Sequence, residues 1–237
     1  MLAVYRLTLL QLSGRWRLAI MTILATLPVF LSVITMRDGT AMTLIEFENV
    51  VLSGILAGSI APLVVLAIAA AAFGNELDDR TLANLTLSPV PRWRIALPKL
   101  LGTITVAAPF ILLSGFLVAY IAFLGDARAA IAITVSALVG VAMYASMFVW
   151  LGLVSTQAIG LGLLYIVLWE GFFSNYLSGV RMLSIRQYAI ALMHAIDERR
   201  FASIEHLPAL AAVILSSLVI GGFLFLSIRR LQTMDVP

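Results

Sequence analysis

The 237-residue chain contains no cysteine and only two histidines, His194 and His206. The missing cysteine excludes disulfides, thiolate metal sites and a cysteine nucleophile. Charge is scarce as well. Acids and bases make up 11% of the residues, against about 25% in a typical soluble domain. No Gly-Lys pair occurs anywhere, so there is no Gly-x-x-x-x-Gly-Lys phosphate loop and no ATPase site of that kind. A Gly-x-Ser-x-Gly nucleophile elbow is also absent. The net charge of +3 is small and its basic residues are scattered between apolar stretches, which gives no reason to expect nucleic acid as a partner.

What the chain has instead is apolar length. Hydrophobic residues are 62% of the total, more than a soluble fold of this size can keep from water, so the solvent is a bilayer. A hydrocarbon core of about 30 Å takes roughly 20 apolar residues in a helix. Five uncharged runs meet that length: Leu18–Met36, Val50–Phe73, Leu100–Leu124, Ala129–Val154 and Leu207–Ile228. A sixth, Ala158–Phe173, is shorter and carries Glu170 near its end. It reads as a short fifth span with Glu170 at the water boundary, or else as a re-entrant piece. Trp169 and Tyr176, placed where an interfacial aromatic belt falls, favour the span. The N-terminal stretch, with Arg6, Arg15 and Arg17 before an apolar run and no convincing small-x-small cleavage site, reads as a retained first span.

Six spans with the N-terminus inside put nine basic residues on inner segments (Arg6, Arg15, Arg17, Arg80, Arg92, Arg94, Lys99, Arg229 and Arg230) and six outside (Arg37, Arg128, Arg181, Arg186, Arg199 and Arg200). Four of those six share one long loop, so the shorter connections set the bias and both termini are expected in the cytoplasm. The chain reads as one membrane domain over residues 1–237, without internal repeats. Pro28, Pro62 and Pro109 fall inside spans, as packing irregularities or as hinges of a moving helix. Gly54 and Gly58 form a small-xxx-small pair that lets two helix backbones approach.

The connection after the second span has a pattern of its own. Glu76, Asp78, Asp79 and Arg80 come first, then Thr81, Leu82, Leu85 and Leu87, then Pro89 and Pro91, then Arg92, Trp93, Arg94 and Lys99. Glu76 and Arg80 stand four apart, the spacing of a helical ion pair. Leu82 and Leu85 share one helix face, and the prolines end that helix. Arg92, Trp93 and Arg94 suit lipid head groups. The expectation is a short amphipathic surface helix that either lies on lipid or docks on a cytoplasmic protein.

This segment resembles the loop between the second and third spans of type-2 ABC permeases. Glu76, Arg80-Thr81-Leu82, Leu85, Leu87, Pro89-Val90, Arg92 and Lys99 carry the resemblance, over about 25 residues. Pro91 and Pro98 depart from the pattern, in which a small polar residue and a glycine are usual. The resemblance implies an all-α membrane protein of six transmembrane helices, with a cytoplasmic coupling helix between the second and third. It implies an exporter permease working as a homodimer, or with a closely related permease, beside two ABC ATPase subunits. ATP and Mg would be held by those partners and no cofactor by this chain. Coupling would run through Glu76, Asp79, Arg80, Thr81, Leu82, Leu85 and Pro89. Residues Met1–Arg17 look similar to the family's N-terminal helix along the inner leaflet. The outer connection Ser174–His206 would dip back into the membrane at Tyr188–Ile196. The setting is the cell (inner) membrane.

Rival readings remain at this stage. His194 and His206, with Asp197, Glu198 and Glu205, could be metal ligands, but their spacing matches no metal motif and charged outer loops are usually solvated; no metal site is expected. A secondary transporter or channel places ionisable groups at mid-membrane, and only Glu170 is a candidate, as a lining residue of the substrate path. An apolar cavity would suit lipids, lipid-linked sugars, peptides or hydrophobic drugs alike.

Overall fold

The structure is a computed structural model, and it describes residues 1–37, 43–78, 91–174, 183–199, 201 and 207–233. Among these residues the fold is helical throughout. Helix α1 is Leu2–Leu12 and α2 is Arg15–Arg37. A short α3, Leu44–Phe47, runs straight into a π-helical stretch, Glu48–Ile60, and then into α4, Ala61–Asp78. Helices α5 (Trp93–Ala122) and α6 (Ala127–Val154) follow. Next come α7 (Ala158–Leu164), a second π-helical stretch at Tyr165–Phe173, α8 (Ile185–Ile196) and α9 (Ala209–Thr233).

Five of these rods are long and apolar enough to cross a bilayer: Arg15–Met36, Ile45–Gly74, Trp93–Ala122, Ala127–Val154 and Ala209–Thr233. They correspond one to one with the five long runs in the sequence. The joined rod Ala158–Phe173 falls short of that length. At 1.5 Å per residue its sixteen residues rise about 24 Å, less than the roughly 30 Å of a hydrocarbon core.

Centre and periphery differ sharply. The Ile45–Gly74 rod and α6 are largely buried, whereas α2 and α9 show most of their surface outward. The core holds Val64, Ile68, Phe73, Ile111, Tyr144 and Phe148. Helix α6 meets α4 almost backbone to backbone: a Cβ on Gly152 would stand 2.9 Å from the Ala70 carbonyl oxygen. No side chain fits there, which explains a glycine inside a helix despite its cost of about 1 kcal/mol.

The two ends of the bundle can be told apart by their contacts. At the near end, Val154 closing α6 and Thr233 closing α9 line one cleft, and Trp150 lies 5.5 Å from Phe223. Helix α1 packs on α5 in this half, with the Tyr5 hydroxyl 2.9 Å from Thr105 Oγ1. At the far end, Phe47, Phe123 and Phe201 meet edge to face. The α5–α6 turn there uses Gly125 at φ +81°, a backbone region glycine enters without strain. Asp126 then caps α6 by accepting the Arg128 amide at 3.0 Å.

Candidate functional site

Among the described residues Glu48, Lys99, Glu170, Arg186 and Asp197 are buried, and two of them, Lys99 and Glu170, are central to the site. The first is Lys99, the only lysine in the chain and 1% exposed. It sits on the first turns of α5. Its Nζ donates to the Ala72 carbonyl oxygen and stands 4.5 Å above the Phe73 ring. Ala72 and Phe73 belong to α4, so this one side chain ties together the two helices that flank residues 79–90. An ammonium closed off from water is costly unless paired; the carbonyl dipole and the ring face are partners it finds here. Pro98, the departure next to it, is accommodated inside α5 and buried.

The expected coupling residues Asp79, Arg80, Thr81, Leu82, Leu85 and Pro89 lie outside the described residues. The backbone of Glu76 is in the last turns of α4. Past the undescribed stretch, Arg94 and Trp93 are exposed and adjacent, with the guanidinium 5.5 Å from the indole centroid.

The second charge is Glu170, which is fully buried. The reading of Glu170 at a water boundary is therefore corrected: it stands within the bundle, beside Tyr144 of α6. Tyr144 is ten residues before Val154 and seventeen after Ala127, so about 15 Å and 26 Å from the ends of α6. The error has a physical source. The end of an apolar run marks the water boundary only when the helix crosses the whole bilayer, and Ala158–Phe173 is too short to do so.

Three donors converge on the carboxylate. Tyr165 Oη donates to Oε1 at 3.0 Å, Ser184 Oγ donates to Oε2, and the Ile185 amide donates to Oε1 at 3.1 Å. The last of these is an orphan N–H of the first turn of α8. Glu170 thus caps α8 from another segment, with its negative charge at the positive end of that helix. Ser184, the cap residue by position, spends its own hydroxyl on Glu170. Ser174 Oγ bonds the Glu170 carbonyl oxygen at 2.7 Å and accepts from Arg186 Nη2 at 3.0 Å. Arg186 is itself 5% exposed.

Gly58 makes room for that arginine. A Cβ there would lie 3.0 Å from Arg186 Cδ, while one on Gly54 would meet only the Asn49 carbonyl of its own helix. Within this chain Gly58 therefore accommodates a side chain and not a second helix backbone. Both π-helical stretches border this network, Gly58 on one and Tyr165 and Glu170 on the other. π-turns are rare and concentrate at functional sites.

Helix α8 rises from this network to the far end. Its Ala189 faces Gly140 of α6, and the carbonyl of Ile196 accepts from Arg128 Nε at 3.2 Å. It is buried on nearly every face, His194 included. His194 lies against Phe201, centroids 5.8 Å apart, and Asp197 is 2% exposed with Arg128 3.9 Å away. His194 belongs to the Tyr188–Ile196 stretch expected to dip back into the membrane, and it is buried there; the picture of Asp197 as a solvated loop charge is corrected. Among the described residues, no three of His, Asp or Glu are placed to share a metal ion.

The sequence reading singled out Glu170 and the small-residue pair but missed Tyr165, Ser184 and Arg186 as their partners. A usable signal existed: a serine opening an apolar helix, and a lone arginine in that helix matching a lone glutamate in the apolar rod before it.

Comparison with protein families adds one finding. A family model described as ABC-2 family transporter protein matches residues 14–189. No curated protein matches the chain.

Proposed function

The chain belongs to the ABC-2 family of transporter membrane proteins, and from that premise we propose that it is the membrane-spanning permease subunit of an exporter driven by ATP hydrolysis on a separate ATPase chain. The carrying observation is the family match over residues 14–189, which takes in the whole segment 79–90 and both helices tied by Lys99. The protein is a multi-pass membrane protein and a transporter permease.

The finer picture is as follows. Six crossings place both termini in the cytoplasm of a cell (inner) membrane. The fifth crossing is a broken one. Ala158–Phe173 carries the chain inward from the near end, and α8 completes the passage to the far end. Non-helical backbone at membrane depth is tolerated where protein surrounds it, as it surrounds the extended Ser184. The permease works as a dimer, of two copies or with a close relative, beside two ATPase subunits that hold ATP and Mg. Glu76, Asp79, Arg80, Thr81, Leu82, Leu85 and Pro89 form the docking and coupling element. Lys99 makes α4 and α5 respond to it together. Glu170 acts as the fixed point of the broken crossing, next to the substrate path.

The test is to change Leu82 and Leu85 both to Asp and to co-purify the permease with its ATPase. Burying two leucines contributes a few kcal/mol, so the double change lowers affinity at least about a hundredfold, with membrane insertion intact. Retained binding with normal turnover in lipid vesicles refutes the coupling role.

One observation favours a second reading. A carboxylate inside the bundle is what an ATP-independent, ion-coupled carrier uses. Vesicles holding the permease alone under a proton gradient separate the two: uptake there supports the carrier, and uptake only with the ATPase and ATP supports the exporter. Orientation is checked with single cysteines, since the chain has none. An impermeant thiol reagent added outside reacts at Ala41→Cys and Ala202→Cys and spares Ala83→Cys and Thr233→Cys.

A further inference from the structure

Helices α6 and α9 end beside each other at the near end, and an open cleft of about 350 Å³ lies between their last turns. Its α6 wall is apolar, made of Trp150 and Val154. Its α9 wall begins with Leu226 and continues with Arg229, Arg230 and Thr233.

The two guanidiniums in this cleft are unanswered. Both arginines are exposed, and among the described residues neither side chain has an ion pair or a hydrogen bond. By contrast, Arg186 donates to Ser174, Arg128 to the Ile196 carbonyl and Arg17 to the Gln11 carbonyl. Thr233 turns its hydroxyl back onto the carbonyl oxygens of Arg229 and Arg230. The negative end of the α9 dipole amounts to about half a charge, against two cations. Two positive charges thus meet in one cleft without an anion from the protein.

Depth indicates which anion answers them. Helix α9 has 25 residues, about 37 Å of rise, so centred on a core of about 30 Å it overhangs by roughly 4 Å at each end. Arg229 and Arg230 stand four and three residues before Thr233, about 6 and 4.5 Å. Their backbone is therefore at the edge of the hydrocarbon, and their long side chains reach the head-group layer. Helix α6 gives the same level independently. Its 28 residues rise about 42 Å and overhang by roughly 6 Å. Trp150, four residues before Val154, is about 6 Å from that end, at the boundary where indoles concentrate.

The charged groups just outside a hydrocarbon core are lipid phosphates, and a guanidinium pairs with phosphate through parallel N–H donors. The apolar part of the cleft suits the rest of the same molecule. Leu226 is 39% and its neighbour Phe225 60% exposed, so the lining runs on into the outward surface of α9. A soluble phosphate or an acidic protein segment would meet the arginines and leave that apolar surface uncovered.

We propose that the α6–α9 cleft binds an anionic phospholipid, with Arg229 and Arg230 holding its phosphate and Trp150 and Leu226 against its acyl chain. The proposal concerns binding and stands whether or not the permease is driven by ATP.

The experiment uses Trp150 as its reporter. In the full chain Trp16, Trp93 and Trp169 are changed to Phe, which leaves one indole. The protein is placed in phosphatidylcholine vesicles with a minor fraction of lipid brominated on its acyl chain, either phosphatidylglycerol or phosphatidylcholine. Bromine quenches an indole that it touches. Phosphatidylglycerol is expected beside Trp150 at about five- to thirtyfold its share of the bilayer, the worth of one to two arginines at a membrane surface. Brominated phosphatidylcholine is expected at its bulk share. Arg229→Gln with Arg230→Gln abolishes the preference and leaves quenching by brominated phosphatidylcholine unchanged, which separates a lost anion site from a disturbed cleft. Arg15→Gln removes an exposed charge outside the cleft and leaves the preference intact. Equal quenching by the two lipids overturns the proposal. So does a preference that survives the double change, or one that falls as far with Arg15→Gln, the mark of general surface charge. Inorganic phosphate that abolishes the preference at matched ionic strength also overturns it, because the occupant is then a soluble anion.

Discussion

Lys99 and Glu170 are both charged and both shut away from solvent, yet they are held in opposite ways. Lys99 reaches out through four methylenes, and its partners include a carbonyl and a ring face, neither of which demands one geometry. Glu170 is short, and its carboxylate is fixed by two hydroxyls and a main-chain amide at the start of a helix. The lysine clamp can therefore follow small sliding of α4 against α5 without letting go. The glutamate network has little freedom, because moving the carboxylate breaks several bonds together. In the proposed function the two joints have different uses: a compliant one beside the proposed coupling segment and a rigid one in the middle.

The sharpest break in this comparison comes from Glu170→Leu. It leaves Tyr165, Ser184 and the Ile185 amide without their acceptor. Removing one partner from a buried charged network costs about 3–5 kcal/mol. Denaturant unfolding in detergent measures it, and Glu170→Gln, which keeps one acceptor, is expected to lose about half as much. A Glu170→Leu protein as stable as the parent would mean the network is dispensable.

A smaller effect is expected from Lys99→Met. The variant keeps the length of the side chain and gives up the cation–π contact and the carbonyl bond, about 1–3 kcal/mol together. Because Lys99 is the only lysine, an amine reagent also reads the clamp directly in the parent protein. The N-terminal amine reacts at once, while Lys99 reacts only on opening. Lys99 should open at lower denaturant than a thiol placed at buried Ala189 in α8. The reverse order would make the lysine the rigid joint.

The smallest change is Gly58→Ala. The added methyl meets both Arg186 Cδ and the Ser53 carbonyl oxygen near 3.0 Å, at a cost of about 1–2 kcal/mol. The same substitution at Gly54 meets only the Asn49 carbonyl oxygen, at 3.2 Å, and should cost less. Equal losses at the two sites would show that Arg186 does not need the space.

How much of this could be read beforehand differs between the two joints. Lys99 lay inside the one stretch whose residue order carried a family resemblance, and its partners Ala72 and Phe73 sit at the other side of the same short segment. Glu170 finds its donors on Ser184 and Ile185, in a helix the chain reaches only after another stretch. Tyr165 was closer, but a tyrosine five residues before a glutamate in an apolar rod also suits a membrane boundary, so the wrong placement was the natural one. The solvated reading of Asp197 failed for a related reason: it stands one residue past the apolar stretch Tyr188–Ile196, and its charge alone marked it as loop.

The sequence alone determined the solvent, the five long helices with their ends to within seven residues, and the family. Each of these follows from local sums: transfer of a run of side chains into lipid is favourable residue by residue, and a motif is an order of neighbours. Tertiary structure alone decided that Glu170 is a cap for α8 and that Gly58 is space for Arg186. Those facts depend on which segments meet and at what depth. In a bilayer that choice is governed by van der Waals fit and by the pairing of a few polar groups, and neither is written in the hydropathy of any one segment.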